Sequence, residues 1–149
     1  MERHIRAGEL FLSGYNCAQS VAMAFADLMG MDEKTAARAS SAFGGGIGRM
    51  REVCGAVSGM MMVLSVLYGY DQPEDNAGKR ELYRHVQALA GQFREEVGSI
   101  ICREILGNPP STPDPTPRTQ EFYAQRPCAR MVMTAARLLE EFIQTHPMS

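Results

Sequence analysis

The sequence has no long hydrophobic run and no large excess of charge of either sign. Its longest apolar stretch lies near Met60 to Leu67, which is far too short to span a membrane. The formal net charge is -2, so the chain offers no electrostatic footprint for nucleic acid. The first six residues are mostly charged or polar and lack the apolar stretch of a secretory signal. We therefore expect a cytoplasmic protein with no membrane span and no nucleic-acid partner.

The four cysteines also lack the short spacing of familiar metal and redox motifs. They are Cys17, Cys54, Cys102 and Cys128, and no two of them form a Cys-x-x-Cys pair. This argues against a zinc ribbon and a thioredoxin-like motif, but it allows a site assembled from four separate segments. In a reducing compartment, such cysteines indicate reactive or metal-binding groups more readily than permanent disulfides. The alternative is that some are simply small buried hydrophobic side chains.

The hydrophobic pattern predicts an all-α fold. Strict alternation of apolar and polar residues is absent at length, whereas helical spacing occurs almost throughout. A chain of 149 residues fits one domain, so we predict a single-domain helical bundle of about six to seven helices over residues 1–149. The predicted helices cover residues 2–13, 16–30, 32–43, 52–68, 77–97, 99–107 and 127 onward.

Two segments of this bundle have distinct compositions. The fourth predicted helix is apolar nearly all round, which is typical of the buried centre of a bundle. Residues 108–120 form a proline-rich loop within the domain, because five prolines lie between Asn108 and Pro117. A solvated connector is the simpler interpretation of this loop, and a lid, a crossover or a partner contact is the alternative.

Each cysteine lies in the first turn of a predicted helix and is followed by an apolar residue three or four positions later. The free N–H groups and dipole of a helix N-terminus stabilise a thiolate, so we expect lowered thiol pKa values and inward-facing thiols. Sequential antiparallel helices would bring Cys17, Cys54 and Cys102 to one end of the bundle. The proline-rich loop could then bring Cys128 alongside. Sulfur separations beyond about 10 Å would contradict this, since a disulfide needs Cα atoms within roughly 7 Å.

A glycine-rich segment, residues 44–48, precedes the fourth predicted helix. It follows a helix rather than a strand and lacks a Gly-Lys-Ser/Thr ending, so nucleotide binding is not favoured. The glycines predict a tight turn with positive φ, or a close approach of backbone to the thiols. Arg49 and Arg51 are either simply solvated, or they favour a thiolate or attract an anionic substrate. We predict a cofactor-binding surface formed by Gly45, Gly46, Arg49, Gly55 and Gly59, although helix packing is the simpler explanation for the last two.

Several of these segments together resemble a known family. They are residues 14–19, 43–48, 54–59 and 98–107, with Phe93, Cys128 and Val132. Nearly the whole chain, apart from the proline-rich loop, is similar to the redox-active family named for its C_GCAxxG_C_C cysteine pattern. The family motif corresponds here to Cys17, Cys54, Gly55, Ala56, Gly59, Cys102 and Cys128.

The resemblance implies a small helical protein with a redox role for its four cysteines. Such proteins are often encoded near transporter and oxidoreductase functions, which implies a redox partner or a transporter-associated oxidoreductase. The resemblance supplies neither a substrate nor a reaction.

Three functions remain open at this point. In the first, Cys17, Cys54, Cys102 and Cys128 are the catalytic residues of a thiol-dependent oxidoreductase, and two of them cycle between dithiol and disulfide. In the second, the same four cysteines bind a metal ion or an iron–sulfur cluster. In the third, the cysteines are inert and the protein is a structural helical bundle. So apolar a small bundle could also form a homodimer.

Overall fold

Helices account for nearly all of the regular structure in this protein. A computed structural model describes residues 2–148, and within them it has eight α-helices, one 3₁₀-helix (Ser41–Phe43) and no sheet. The α-helices are α1 (Arg3–Leu12), α2 (Cys17–Ala24), α3 (Glu33–Ser40), α4 (Gly55–Tyr68), α5 (Asn76–Val97), α6 (Cys102–Leu106), α7 (Gln120–Gln125) and α8 (Cys128–Thr145). The predicted all-α fold is confirmed, with one or two helices more than expected.

The extra helix is α7, which lies between the proline-rich loop and Pro127. The Thr119 side chain caps it by accepting a 3.1 Å hydrogen bond from the backbone N–H of Phe122. With six residues, α7 is too short to produce a recognisable hydrophobic period. The sequence pattern therefore did not reveal it.

The second helix is shorter than predicted, because α2 ends at Ala24 and turns follow up to Gly30. The Arg3 guanidinium of α1 donates a 2.8 Å hydrogen bond to the free carbonyl of Ala24 and also binds the Asp27 carboxylate. A contact from a distant helix thus satisfies a helix-end carbonyl that would otherwise need another partner. The local sequence gives no sign of it.

The core is arranged around α2, which packs against α1, α3, α4 and α8. Its buried residues are small apart from Val21 and Met23, while large side chains such as Phe11, Phe93 and Met60 fill the space around it. Helix α4 was predicted to be the buried centre, and its inner face is indeed buried. Val66 of α4 is nevertheless 46% exposed, so α2 shares the central position with α4.

Two glycines of α4 allow its close contact with α2. A Cβ atom on Gly59 would lie 2.7 Å from the Ala18 carbonyl oxygen, and one on Gly55 would lie 3.2 Å from the Ala18 nitrogen. Both contacts are with backbone, which cannot turn aside as a side chain can. The helix-packing interpretation of Gly55 and Gly59 is therefore confirmed.

No helix within residues 2–148 is long and apolar enough to cross a membrane.

Replacing Gly59 with alanine should destabilise the protein. Alanine gains about 1 kcal/mol of helix propensity over glycine, but overpacking against backbone costs about 1–3 kcal/mol. We therefore expect a net loss of stability, measured by urea unfolding followed by far-UV circular dichroism in reducing buffer.

Gly91→Ala in α5 is the matched control, because no atom beyond its chain neighbours and its own helix backbone lies within 4 Å of the position its Cβ would take. This variant should gain about 0.5–1 kcal/mol. An equal gain at both positions would contradict the close contact between α2 and α4.

Candidate functional site

All four cysteines stand at the beginning of a helix, as predicted. Cys17, Cys102 and Cys128 are the first residues of α2, α6 and α8, and Cys54 is the N-cap residue of α4. The start of α2 is held by reciprocal hydrogen bonds between Asn16 and Gln19, of 2.9 and 3.0 Å. This capping arrangement fixes the backbone that carries Cys17.

Cys54 and Cys102 are held near one another by a short antiparallel pairing of their backbones. The N–H of Cys54 donates to the Ile100 carbonyl at 2.7 Å, and the N–H of Cys102 donates to the Glu52 carbonyl at 2.6 Å. An isolated bridge between Val53 and Ile101 lies between these bonds. The paired segments are too short to give an alternating pattern, so the sequence did not predict this contact.

The glycine-rich loop forms the tight turn that was expected. Five consecutive residues, 45–49, have φ between 54° and 72°, the left-handed region that favours glycine. A Cβ on Gly46 would lie 2.7 Å from the Cβ of Cys102, so the backbone of Gly46 packs directly against the Cys102 side chain. Both expectations for the loop, positive φ and close approach to the thiols, are confirmed.

The four cysteines line one cavity of about 580 Å³. The convergence that helix parity predicted for Cys17, Cys54 and Cys102, with Cys128 alongside, is therefore observed. Gly45, Gly46, Arg49 and Gly55 also line this cavity. Gly59 does not, because it lies one turn deeper between α2 and α4. Its part in a cofactor-binding surface stays a prediction, and its observed contacts are those of helix packing.

The proline-rich loop and α7 together cover this cavity, and we call residues 108–126 the cover segment. Pro113, Pro115 and Thr116 of the loop line the cavity, as do Phe122 and Arg126. Residues 110–115 are nevertheless exposed, so the loop is solvated, as its simpler interpretation has it, and also borders the thiol cavity.

Three arginines hold the cover segment in place through backbone carbonyls. The Arg51 Nε donates to the Pro110 carbonyl at 3.0 Å, and Arg49 donates to the carbonyls of Pro110 and Asp114. From the segment itself, Arg118 donates to the carbonyls of Phe11 and Tyr15, each at 3.1 Å. Arg118 also stacks on the Phe11 ring, 4.5 Å from its centroid.

The cavity is strongly basic. The arginines that line it are Arg49, Arg51, Arg118 and Arg126. No acidic side chain or histidine of residues 2–148 lines it. Arg51, only 5% exposed, directs its guanidinium toward the Cys102 sulfur at 3.8 Å, which agrees with its expected role beside a thiol. Sequence reasoning missed Arg118 and Arg126. The Arg-Pro-Cys run at 126–128 was the available signal for Arg126.

Only one thiol has a lowered pKa. The interaction with the Cys17 thiol, followed by the charges of Arg126, Arg118 and Arg51, lowers the pKa of Cys128 to about 7 despite its burial. The same interaction, with burial and nearby thiols, raises the pKa of Cys17 well above its usual value. Above about pH 7 the pair therefore holds one proton, which the raised pKa of Cys17 places on Cys17.

The other two thiols are shifted in the opposite direction to the expectation. Burial raises the pKa of Cys54 to about 12, against the weaker effect of the backbone N–H groups of Ala56 and Val57. Burial also raises the pKa of Cys102, although Arg51 opposes it. The predicted lowering of all four pKa values at helix N-termini is wrong, because loss of hydration outweighs the helix-end effect at Cys54 and Cys102, and the interaction with Cys128 raises the pKa of Cys17.

The thiols do not form a ready-made metal site. Among the residues that the structure describes, no group of three or more cysteine, histidine, aspartate or glutamate side chains is placed to hold a metal ion. All four cysteines are free, with no disulfide between them. A tetrahedral metal or cluster site would therefore require the thiols to move toward one another.

Comparison with known proteins identifies the family. Residues 15–142 match the family model described as "Putative redox-active protein (C_GCAxxG_C_C)". Because this match covers most of the chain, the protein belongs to that redox-active family, as the resemblance predicted. No curated protein matches the chain, and no solved structure matches it.

The pKa of Cys128 predicts a selective reaction with alkylating reagents. Its rate of alkylation by iodoacetamide should rise with pH, reach half its maximum at about pH 7 and level off above that, because the thiolate is the reacting form. Cys54, with its pKa near 12, should react slowly and still be accelerating above pH 9. Peptide mass spectrometry after pulsed alkylation measures both rates.

Cys17→Ala removes the thiol that contributes most to lowering the Cys128 pKa. The inflection for Cys128 should move upward toward that of an ordinary thiol, near 8.5. An unchanged inflection in this variant would show that the two thiols do not interact.

Proposed function

We propose that this protein carries out thiol–disulfide exchange, with Cys128 as the attacking thiolate and Cys17 as the resolving thiol. The observation that carries the proposal is the interacting Cys17–Cys128 pair in a cavity walled by four free thiols. Membership of a redox-active family supports the same class of chemistry.

The reaction consumes one substrate disulfide in each cycle. The Cys128 thiolate attacks one sulfur of that disulfide, the substrate S–S bond breaks, and a substrate thiolate leaves. Cys17 then transfers its proton to that leaving thiolate and attacks the Cys128 sulfur. This forms a Cys17–Cys128 disulfide and releases the second half of the substrate as a thiolate, which takes a proton from water. Two electrons and one proton thus pass from the protein to the substrate. Thiols of a reducing partner restore the Cys17–Cys128 pair by the reverse steps.

The pKa values suit these roles. An attacking thiol is most effective when its pKa is near the ambient pH, and that of Cys128 is about 7. The raised pKa of Cys17 reflects in part the negative charge on Cys128. Once Cys128 is in a mixed disulfide, that charge is gone and Cys17 becomes easier to deprotonate. The resolving thiol is thus activated only after the first attack.

Cys54 and Cys102 act in support of this pair. Both are buried and their raised pKa values keep them protonated at neutral pH. Their backbones are joined by the hydrogen bonds around Val53 and Ile101. We assign them to tuning the Cys17–Cys128 pair, and a slow second exchange is the alternative role.

The reaction would make this protein a thiol-dependent oxidoreductase of the cytoplasm, where thiol partners are abundant. Pro113, Pro115 and Arg126 of the cover segment line the cavity beside the thiols. We expect a small disulfide to pass this segment more readily than an extended protein segment does.

The order in which the cysteines oxidise tests the proposal. The reduced protein is placed in glutathione buffers of increasing potential, its free thiols are trapped, and its disulfides are mapped by mass spectrometry. The first disulfide should join Cys17 to Cys128. Cys17→Ser should accumulate a mixed disulfide on Cys128, because the resolving thiol is missing, and Cys128→Ser should abolish the fast reaction.

Cys54→Ala is the matched control, since it removes a thiol of the same cavity but should leave the first disulfide unchanged. A first disulfide at any other pair would contradict the assignment. Four thiols that stay reduced in the folded protein would favour inert structural cysteines. Stoichiometric metal and visible absorption after anaerobic purification would favour a metal or iron–sulfur site instead.

A further inference from the structure

We infer that the cavity selects small anionic disulfides, with Arg126 as the residue that recognises a substrate carboxylate beside Cys128. This inference rests on the thiol–disulfide exchange proposed above. It adds the chemical class of the substrate and a residue that determines specificity.

The charges around the cavity are not balanced by the protein. Four arginines line it without an acidic side chain among the lining residues. The neighbouring Glu52 is engaged with Arg103 at 3.2 Å, and Asp114 lies near Arg49 on the cover segment. The Cys128 thiolate can neutralise only one of these positive charges. A ligand with two negative charges would neutralise two more.

The arginines also repel one another. Burial is the largest cause of the lowered pKa of Arg49, and the charges of Arg51 and Arg126 add to it. Like charges at close range destabilise a fold unless an anion relieves them. The Nε of Arg49 is moreover buried without a hydrogen-bond partner. These features indicate a surface built to receive an anion.

Arg126 is the arginine with the most free donors. The guanidinium groups of Arg49, Arg51 and Arg118 are engaged with backbone carbonyls. Arg126 has no hydrogen bond or ion pair from its side chain within residues 2–148, and it stacks on Phe122 at 5.2 Å. It stands two residues before Cys128 and lowers the pKa of that thiol by its charge. A carboxylate bound to Arg126 would therefore lie close to the attacking sulfur.

The size and lining of the cavity fit a small molecule. A volume of about 580 Å³ lies within the usual range for small-molecule sites, about 300–1,000 Å³. Apolar side chains complete its wall: Phe11, Ile105, Leu106, Phe122 and Met131. The best fit is a disulfide with an apolar body and carboxylates. Its two sulfurs accept two electrons from the Cys17–Cys128 pair and one proton from Cys17, a second proton comes from water, and it leaves as two thiols.

A pair of chromogenic disulfides tests this selectivity. Dithiobis(nitrobenzoate) carries two carboxylates, whereas dithiodipyridine is neutral at pH 7. The rate constant of each reagent with Cys128 is measured in Cys54→Ala/Cys102→Ala protein. The ratio of the anionic to the neutral rate constant is taken for the folded protein and divided by the same ratio for the urea-unfolded protein. Because both reagents need the same thiolate, this ratio cancels any change in the pKa of Cys128.

The folded protein should favour the anionic reagent by about tenfold over the unfolded chain, and added salt should reduce this preference. Arg126→Gln should lose most of it, since a charge-assisted hydrogen bond contributes about tenfold or more. Arg126→Lys should retain part of it. Arg84→Gln, which removes an exposed positive charge on α5 away from the cavity, should leave it unchanged.

The outcomes separate this inference from the proposed function. If Cys128 reacts with both reagents without a preference for the anion, the inference is overturned while exchange chemistry stands. If Cys128 reacts with neither reagent, the proposed function itself fails. Should Arg126→Gln not fold, as judged by circular dichroism, the salt dependence of the parent protein decides, and a preference that salt does not weaken overturns the inference.

Discussion

The direct backbone contact between α2 and α4 is the constraint on which the site depends. Gly55 and Gly59 let the two helices meet without an intervening side chain, so the N-terminal ends of both helices lie side by side. A Cβ on Gly55 would be only 3.2 Å from the Cβ of Cys17. Larger residues along this contact would move Cys17 and Cys54 apart and enlarge the cavity. The positions of the thiols in the site thus depend first on how closely α2 and α4 pack.

Burial and charge act on the four thiols in opposite directions, and their balance differs from one thiol to the next. Every cysteine lies at a helix start, yet only Cys128 combines that position with three nearby guanidinium groups and a thiol partner. At Cys54 the same helix-end amides are outweighed by loss of hydration. The cavity therefore holds one activated thiol among three protonated ones. Such an asymmetry favours an ordered sequence of sulfur reactions over four equivalent ligands.

Much of the fold and the position of the site follow from the sequence, because helix period and helix starts are local properties. The positions of Cys17, Cys54 and Cys102 at one end of the bundle needed only short loops and antiparallel order. The pairing of Val53 with Ile101 and the helix at 120–125 were missed, since both are too short for a periodic signal. The pKa pattern was missed because burial depends on the whole packed structure.

The attachment of the cover segment has a consequence for how this protein can change. Arg49, Arg51 and Arg118 all bind main-chain oxygens, either on the segment or from it. Every residue type supplies a main-chain oxygen, so these hydrogen bonds do not depend on the side chains of the loop. Residues of the proline-rich loop can therefore be substituted, which changes the lining of the cavity, while the hydrogen bonds that hold the loop are kept. Sequence changes in the cover segment could therefore alter substrate preference while the four cysteines keep their positions.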